Sequence, residues 1–138
     1  MKQNKIVNIS SVALILFSAF ALLSVSLMAF ASPQAVMDLV QVKLPNNDAY
    51  SSIRGVYGGV GLTITISLFY MAFKDATKGL QFLVLLWGLY AFSRFFTMFT
   101  EGHLGAFGQQ WMMIESILCA LSIILLILRR NRKQQIIA

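Results

Sequence analysis

The sequence has few of the residues that carry solution chemistry or form covalent cross-links. It contains one cysteine, Cys119, one histidine, His103, and two prolines in 138 residues. A single cysteine excludes an internal disulfide and a Cys-x-x-Cys redox pair, and a lone histidine lacks the partners of a zinc site. There is no Gly-rich phosphate loop and no nucleophile elbow. We therefore expect no metal, no cofactor and no enzymatic activity.

Charged residues are also scarce, at 12% of the chain, whereas 58% of the residues are apolar. Soluble domains carry about a quarter charged residues, and a chain this short has too little interior to bury so much apolar surface. The composition excludes a disordered chain, a soluble multidomain enzyme and a disulfide-rich secreted module. It predicts an integral membrane protein whose first partner is the lipid bilayer.

Four apolar runs are long enough to cross a bilayer as helices. The core of the first run, residues 12–30, carries no charge and would span roughly 28 Å as a helix. The sequence thus predicts an all-α, polytopic, four-transmembrane-helix bundle that forms a single membrane domain over residues 1–138. We place the spans at about 6–30, 50–73, 79–99 and 107–128, with outer loops at 31–49 and 100–106, a cytoplasmic loop at 74–78 and a basic cytoplasmic tail at 129–138.

Basic residues are distributed unevenly around these spans. Those expected on one side of the membrane are Lys2, Lys5, Lys74, Lys78, Arg129, Arg130, Arg132 and Lys133. Because basic residues hold loops in the cytoplasm, the pattern predicts cytoplasmic N- and C-termini. It also accounts for the net charge of +6 without a nucleic-acid partner.

The segment that leads out of the first run allows two interpretations. Lys2, Lys5 and the Ala29-Phe30-Ala31 sequence are typical of a cleavable signal peptide, but the apolar core exceeds the usual 7–15 residues. A retained anchor is therefore favoured. Beyond it, Ser32-Pro33 is a plausible helix start, the following apolar residues suit a short interfacial helix or strand, and Asn47 or Asp48 is expected to cap the second span.

Small residues recur every four positions along the second span. Gly55, Gly59, Thr63 and Ser67 therefore lie on one stripe of a helix. Such stripes let helix backbones approach each other closely in lipid. Helix packing is the favoured interpretation, and a glycine-lined passage for a ligand or ion is the alternative.

Two charged residues lie inside apolar spans, where a charge near the bilayer centre costs at least ~2.5–3.5 kcal/mol. Arg94 lies about 22 Å above Gly79, and Glu115 lies about 20 Å above Leu128, from their separations in sequence and the helical rise. Since the two residues share a depth on consecutive antiparallel spans, we expect them to meet.

More polar residues are expected near the same outer face. The predicted cluster comprises Arg54, Tyr57, Arg94, Glu101, His103 and Glu115. In one interpretation Arg94 and Glu115 form a satisfied ion pair that fixes helix packing. In the other, the cluster binds a small polar ligand, an anion or a proton.

Several short motifs together resemble a known family. These are Arg54-Gly-x-Tyr57-Gly58-Gly59, Ser93-Arg94, Glu101-Gly102 and Glu115. The sequence resembles, over Ile6–Leu128, a family of small bacterial four-helix membrane proteins described as domain of unknown function 4345, and more distantly the DoxX-like proteins. The resemblance implies a four-helix inner-membrane fold and little chemistry. The thiol redox work of some DoxX-like proteins would need a cysteine pair, which this sequence lacks.

Three functional hypotheses follow. The leading one is a small non-enzymatic inner-membrane protein that acts as a subunit or accessory component of an assembly with other membrane proteins or with copies of itself. The glycine stripe favours it. The alternative is a transporter or binding protein for a small polar or anionic solute, contacted by Arg54, Arg94 and Glu115. The third, a membrane redox component, lacks a nucleophile–base or metal set.

Overall fold

The structure is a computed structural model that describes residues 2–137, with side chains described for residues 5–131. The side chains of Lys2, Arg132 and Lys133 lie outside the described part. The elements are helices α1 (Lys2–Ala31), α2 (Pro33–Asp38) and α3 (Asn47–Ile53), a π-helical segment (Arg54–Val60), and helices α4 (Gly61–Lys74), α5 (Ala76–Thr100) and α6 (Ala106–Ile137).

Four stretches are long and apolar enough to cross a membrane. They are Lys5–Ala31, Asn47–Lys74, Ala76–Thr100 and Ala106–Asn131. No strand occurs between residues 2 and 137. The all-α class and the four membrane-spanning helices predicted from the sequence are therefore confirmed.

The second of these stretches is not a uniform α-helix. Its residues 54–60, Arg-Gly-Val-Tyr-Gly-Gly-Val, form a π-helix between α3 and α4. Three glycines in seven residues weaken the local preference for the α-helix, and π-helical turns are rare and often found at functional sites. Hydropathy alone did not predict this segment.

Side-chain caps fix the ends of the helices around the 31–49 connection. Ser32 caps α2 by accepting a hydrogen bond from the Ala35 amide, with Pro33 in the first turn, as predicted. α3 is capped by Asn46, whose side-chain oxygen accepts from the Ala49 amide at 2.9 Å. The prediction of Asn47 or Asp48 as the cap was therefore wrong. Asn46 is the residue with the extended backbone that an N-cap requires.

The chain divides into two compact units, of which one comprises residues 16–70. In this unit the rings of Phe20 and Phe69 meet edge to face at 5.1 Å. A Cβ added at Gly61 would collide with the Ser26 hydroxyl, so α1 and α4 approach closely there. Near the outer connection Ala29, Val36 and Met37 form a small buried core, against which Leu44 and Ile53 pack.

The other unit comprises residues 1–15 and 71–138. Its contacts are dominated by α5 against α6, with Leu83, Trp87 and Leu118 buried. The Cys119 thiol lies 3.7 Å from the Val84 carbonyl oxygen and beside Gly88. Cys119 is thus a small packing residue at this helix contact.

Several serine hydroxyls are buried along the helices. Ser11, Ser18 and Ser26 on α1 and Ser122 on α6 are at most 1% exposed. The hydroxyls of Ser11 and Ser26 donate to the carbonyl oxygens four residues earlier, at 2.6 and 2.8 Å. Because the helix itself satisfies these hydroxyls, they can be buried among apolar neighbours.

Candidate functional site

Arg94 and Glu115, which the sequence analysis placed at the same depth, form a bidentate ion pair. Arg94 of α5 donates from Nε to Oε2 of Glu115 on α6 at 2.6 Å, and from Nη2 to Oε1 at 2.8 Å. Arg94 lies about 9 Å from the α5 end at Thr100, and Glu115 about 13 Å from the α6 start at Ala106. The two charges therefore meet well inside the membrane-spanning stretches.

Burial differs between the two partners. The Glu115 side chain is 2% exposed, whereas that of Arg94 is 22% exposed. Two parallel charge-assisted hydrogen bonds engage both carboxylate oxygens, and no buried side-chain nitrogen or oxygen among the described residues lacks a hydrogen-bond partner. The pair therefore neutralises its own charges. Arg94 Nη1 takes no part in the two bonds.

Each partner extends a face of its helix. Trp87, Tyr90 and Arg94 share one face of α5, where Trp87 is buried and its ring centroid lies 6.0 Å from that of Tyr90. Glu115 and Ser122, both buried, share a face of α6 with Cys119. The ion pair is thus part of the α5–α6 packing interface.

Glu101 and His103 lie in the connection after α5 and do not join this pair. The backbone amide of Glu101 donates to the Thr97 carbonyl oxygen at 2.8 Å and so closes the end of α5. Both side chains are exposed. Within residues 5–131 neither forms an ion pair.

Arg54 and Tyr57 belong to the unit of residues 16–70. Arg54 Nε donates to the Phe30 carbonyl oxygen at 3.2 Å, near the end of α1 at Ala31. The last carbonyls of a helix lack partners and carry a partial negative charge, so a cation is favourable there. Tyr57 is 37% exposed on the π-helical segment. The gathering of all six residues into one cluster stays a prediction.

The predicted small-residue stripe is open within its unit. A Cβ added at Gly55 or Gly59 would meet nothing within 4 Å, whereas one at the neighbouring Gly58 would touch the Phe30 ring at 3.0 Å. The Thr63 hydroxyl donates to the Gly59 carbonyl oxygen at 3.0 Å, and the Ser67 hydroxyl to that of Thr63 at 2.9 Å. We call Gly55, Gly59, Thr63 and Ser67 the open glycine face.

Sequence reasoning missed a second arginine network. Arg129 of α6 donates from Nη1 to Asn8 Oδ1 at 2.7 Å and from Nε to Thr77 Oγ1 at 3.3 Å, which ties α6 to α1 and α5. The sequence analysis treated Arg129 only as part of the basic cytoplasmic tail. The available signal was Asn8, a polar residue inside the first apolar run.

Among the described residues, no group of three or more His, Cys, Asp or Glu side chains could hold a metal ion. The α5–α6 arrangement holds an ion pair at depth and leaves part of the Arg94 side chain exposed. Its chemistry is electrostatic.

Comparison with known proteins gives one match. No curated protein and no solved structure matches the sequence. Residues 10–126 match the family described as a domain of unknown function (DUF4345). This match covers most of the chain, including Arg54, Arg94 and Glu115, and agrees with the resemblance seen in their motifs. The chain is thus a multi-pass membrane protein that belongs to the DUF4345 family.

Proposed function

We propose that the protein is a small, non-enzymatic component of a bacterial inner-membrane assembly, with both termini in the cytoplasm. It contacts another membrane-spanning helix, from a partner protein or a second copy of the chain, through the open glycine face. The observation that supports this proposal is that Gly55 and Gly59 lie four residues apart and have no neighbour near the Cβ position among the described residues of their unit.

Glycine in a helix interior is unfavourable by roughly 0.5–1 kcal/mol relative to alanine. Gly61 offsets this cost inside the unit, because only glycine lets α4 approach Ser26 so closely. Gly55 and Gly59 have no such contact. A helix from another chain would supply it, since small residues at four-residue spacing allow close backbone approach in lipid.

The rest of the open glycine face suits such a contact. The hydroxyls of Thr63 and Ser67 already donate within their own helix, so a partner could cover them without leaving an unsatisfied donor. Val56 and Val60 are 60% and 54% exposed on the same segment, and they provide apolar surface beside the glycines. The face could therefore be buried without a polar penalty.

The proposal is tested by filling the face. Gly59→Leu and Gly55→Leu should abolish association, measured as the mass of the complex purified in mild detergent and as cross-linking in native membranes. Folding should survive, because no described atom lies within 4 Å of a Cβ built at either site. Leu27→Phe adds bulk at an exposed residue of α1 in the same unit and is the control. Unchanged association of both leucine variants, or a wild-type chain that is a monomer without partners, would contradict the proposal.

One observation favours solute binding as a second candidate function. Arg94 keeps 22% of its side chain exposed, with Nη1 outside the bonds to Glu115, so a small anion could contact it. In that case phosphate, sulfate or a short carboxylate should raise the thermal unfolding midpoint of the wild type but not of the Arg94→Gln/Glu115→Gln double variant. A wild type that responds to none of them would reject this candidate.

A further inference from the structure

The unit of residues 1–15 and 71–138 contains a second polar region, at the end opposite the Arg94–Glu115 pair. A cavity of about 570 Å³ opens where α4 ends and α5 begins. Its polar lining consists of Asn8, Lys74, Asp75, Thr77 and Arg129. The side chains come from α1, the end of α4, the α4–α5 connection, the start of α5, and α6, so the tertiary fold assembles the cavity.

Arg129 is held in this cavity without an acidic partner among the described side chains. Its two partners, Asn8 and Thr77, are neutral. They orient the guanidinium group through Nε and Nη1 and leave Nη2 available to donate. A planar, oriented guanidinium group is well suited to bind phosphate oxygens.

Lys74 adds a second positive charge to the lining. It is the last residue of α4, its side chain is exposed, and it forms no ion pair with any residue whose side chain is described. Asp75 is the acidic residue of the lining. Its Oδ1 accepts from the backbone amides of Thr77 and Lys78 at 3.1 and 3.2 Å, and its Oδ2 lies 3.9 Å from the Lys78 ammonium. Two cations against one carboxylate leave the lining with a net positive charge.

We propose that this cavity binds a phosphate-bearing anion, whose phosphate group is contacted by Arg129 and Lys74. α4 ends at Lys74 and α5 begins at Ala76, so the cavity lies where the spans leave the hydrocarbon, whichever way the chain is inserted. The phosphate of an anionic phospholipid is present at this level, and basic pockets between membrane helices bind such headgroups. A soluble phosphate is the other source of the same chemistry.

Binding can be measured on the full chain in mild detergent. Dioleoylphosphatidylglycerol, dioleoylphosphatidylcholine and inorganic phosphate would be titrated, with thermal unfolding followed by tryptophan fluorescence and lipid adducts counted by native mass spectrometry. Phosphatidylglycerol should bind at least about tenfold more tightly than phosphatidylcholine. Displacement of the lipid by millimolar inorganic phosphate would show that the phosphate group is sufficient, whereas resistance to it would identify the lipid as the ligand. Equal binding of both lipids with no effect of phosphate would overturn the proposal.

Charge-matched variants separate the cavity from general attraction to a basic surface. A basic side chain near an anionic headgroup contributes about fivefold in affinity, so Lys74→Gln and Arg129→Gln should each weaken phosphatidylglycerol binding by about that factor. Lys5→Gln and Arg130→Gln remove the same charge from exposed side chains of the same unit that lie outside the lining, and should leave binding within about twofold. Equal weakening by all four variants would overturn the proposal. If Arg129→Gln fails to fold, Lys74→Gln against Lys5→Gln still decides it.

Discussion

Arg94 and Arg129 are fixed in the same compact unit in different ways. Arg94 meets a carboxylate through two bonds of 2.6 and 2.8 Å, whereas Arg129 meets an amide oxygen at 2.7 Å and a hydroxyl at 3.3 Å. Arg94 lies inside a membrane-spanning stretch, and Arg129 lies near the end of one. The comparison teaches that a charge in the hydrocarbon must be neutralised by the chain itself, while a charge near the headgroups needs only to be oriented.

The largest expected effect comes from breaking the deep pair. Glu115→Leu leaves the Arg94 charge unpaired and should lower the free energy of unfolding by about 3–5 kcal/mol, toward the lower end because Arg94 is 22% exposed. Reversible unfolding in sodium dodecyl sulfate would measure this. The Arg94→Leu/Glu115→Leu double variant should recover most of the loss, since an apolar pair leaves no uncompensated charge. If Glu115→Leu alone were as stable as the wild type, Arg94 would not need a charged partner, and the contrast with Arg129 would fail.

The shallow arginine should matter less for stability. Arg129→Gln removes two hydrogen bonds to neutral groups, each with a net contribution of about 0.5–1.5 kcal/mol. We therefore expect a loss of about 1–3 kcal/mol in the same assay, toward the lower end because the bond to Thr77 is 3.3 Å long. Arg130→Gln is the control, because the exposed Arg130 forms no side-chain bond among the described residues. Arg129→Gln could instead destabilise the protein as much as Glu115→Leu. The depth of an arginine in the membrane would then not determine whether it needs a charged partner.

Much of the deep site was accessible from the sequence. The helical rise is nearly constant, so the separations of Arg94 from Gly79 and of Glu115 from Leu128 predict a common depth, and the structure joins the two residues. The four spans followed from hydropathy for a similar reason, because the length of a helix that crosses a membrane is set by the bilayer.

Other features depend on information that a depth calculation lacks. The Arg129–Asn8 contact joins residues 121 positions apart and depends on how α1 packs. Hydropathy depends only on residue type, so it does not distinguish the π-helix at 54–60 from an α-helix of the same sequence. The choice of Asn46 as the cap depends on the backbone angles of that one residue. Whether Gly55 and Gly59 pack inside the chain or face outward is also a property of tertiary structure, which their spacing alone does not determine.

Arg54 provides the smallest expected effect and a test of the predicted polar cluster. Its exposed side chain donates one bond of 3.2 Å to the Phe30 carbonyl oxygen, and a cation at a helix C-terminus contributes about 0.3–1 kcal/mol. Arg54→Gln should therefore lower the free energy of unfolding by no more than about 1 kcal/mol, with Lys43→Gln, an exposed charge in the same unit, as the control. A loss near that of Glu115→Leu would mean that Arg54 has an acidic partner, as the six-residue cluster requires. A small loss would mean that Arg54 only caps the C-terminal end of α1. Arg94 and Glu115 would then be the two members of the predicted cluster that neutralise each other.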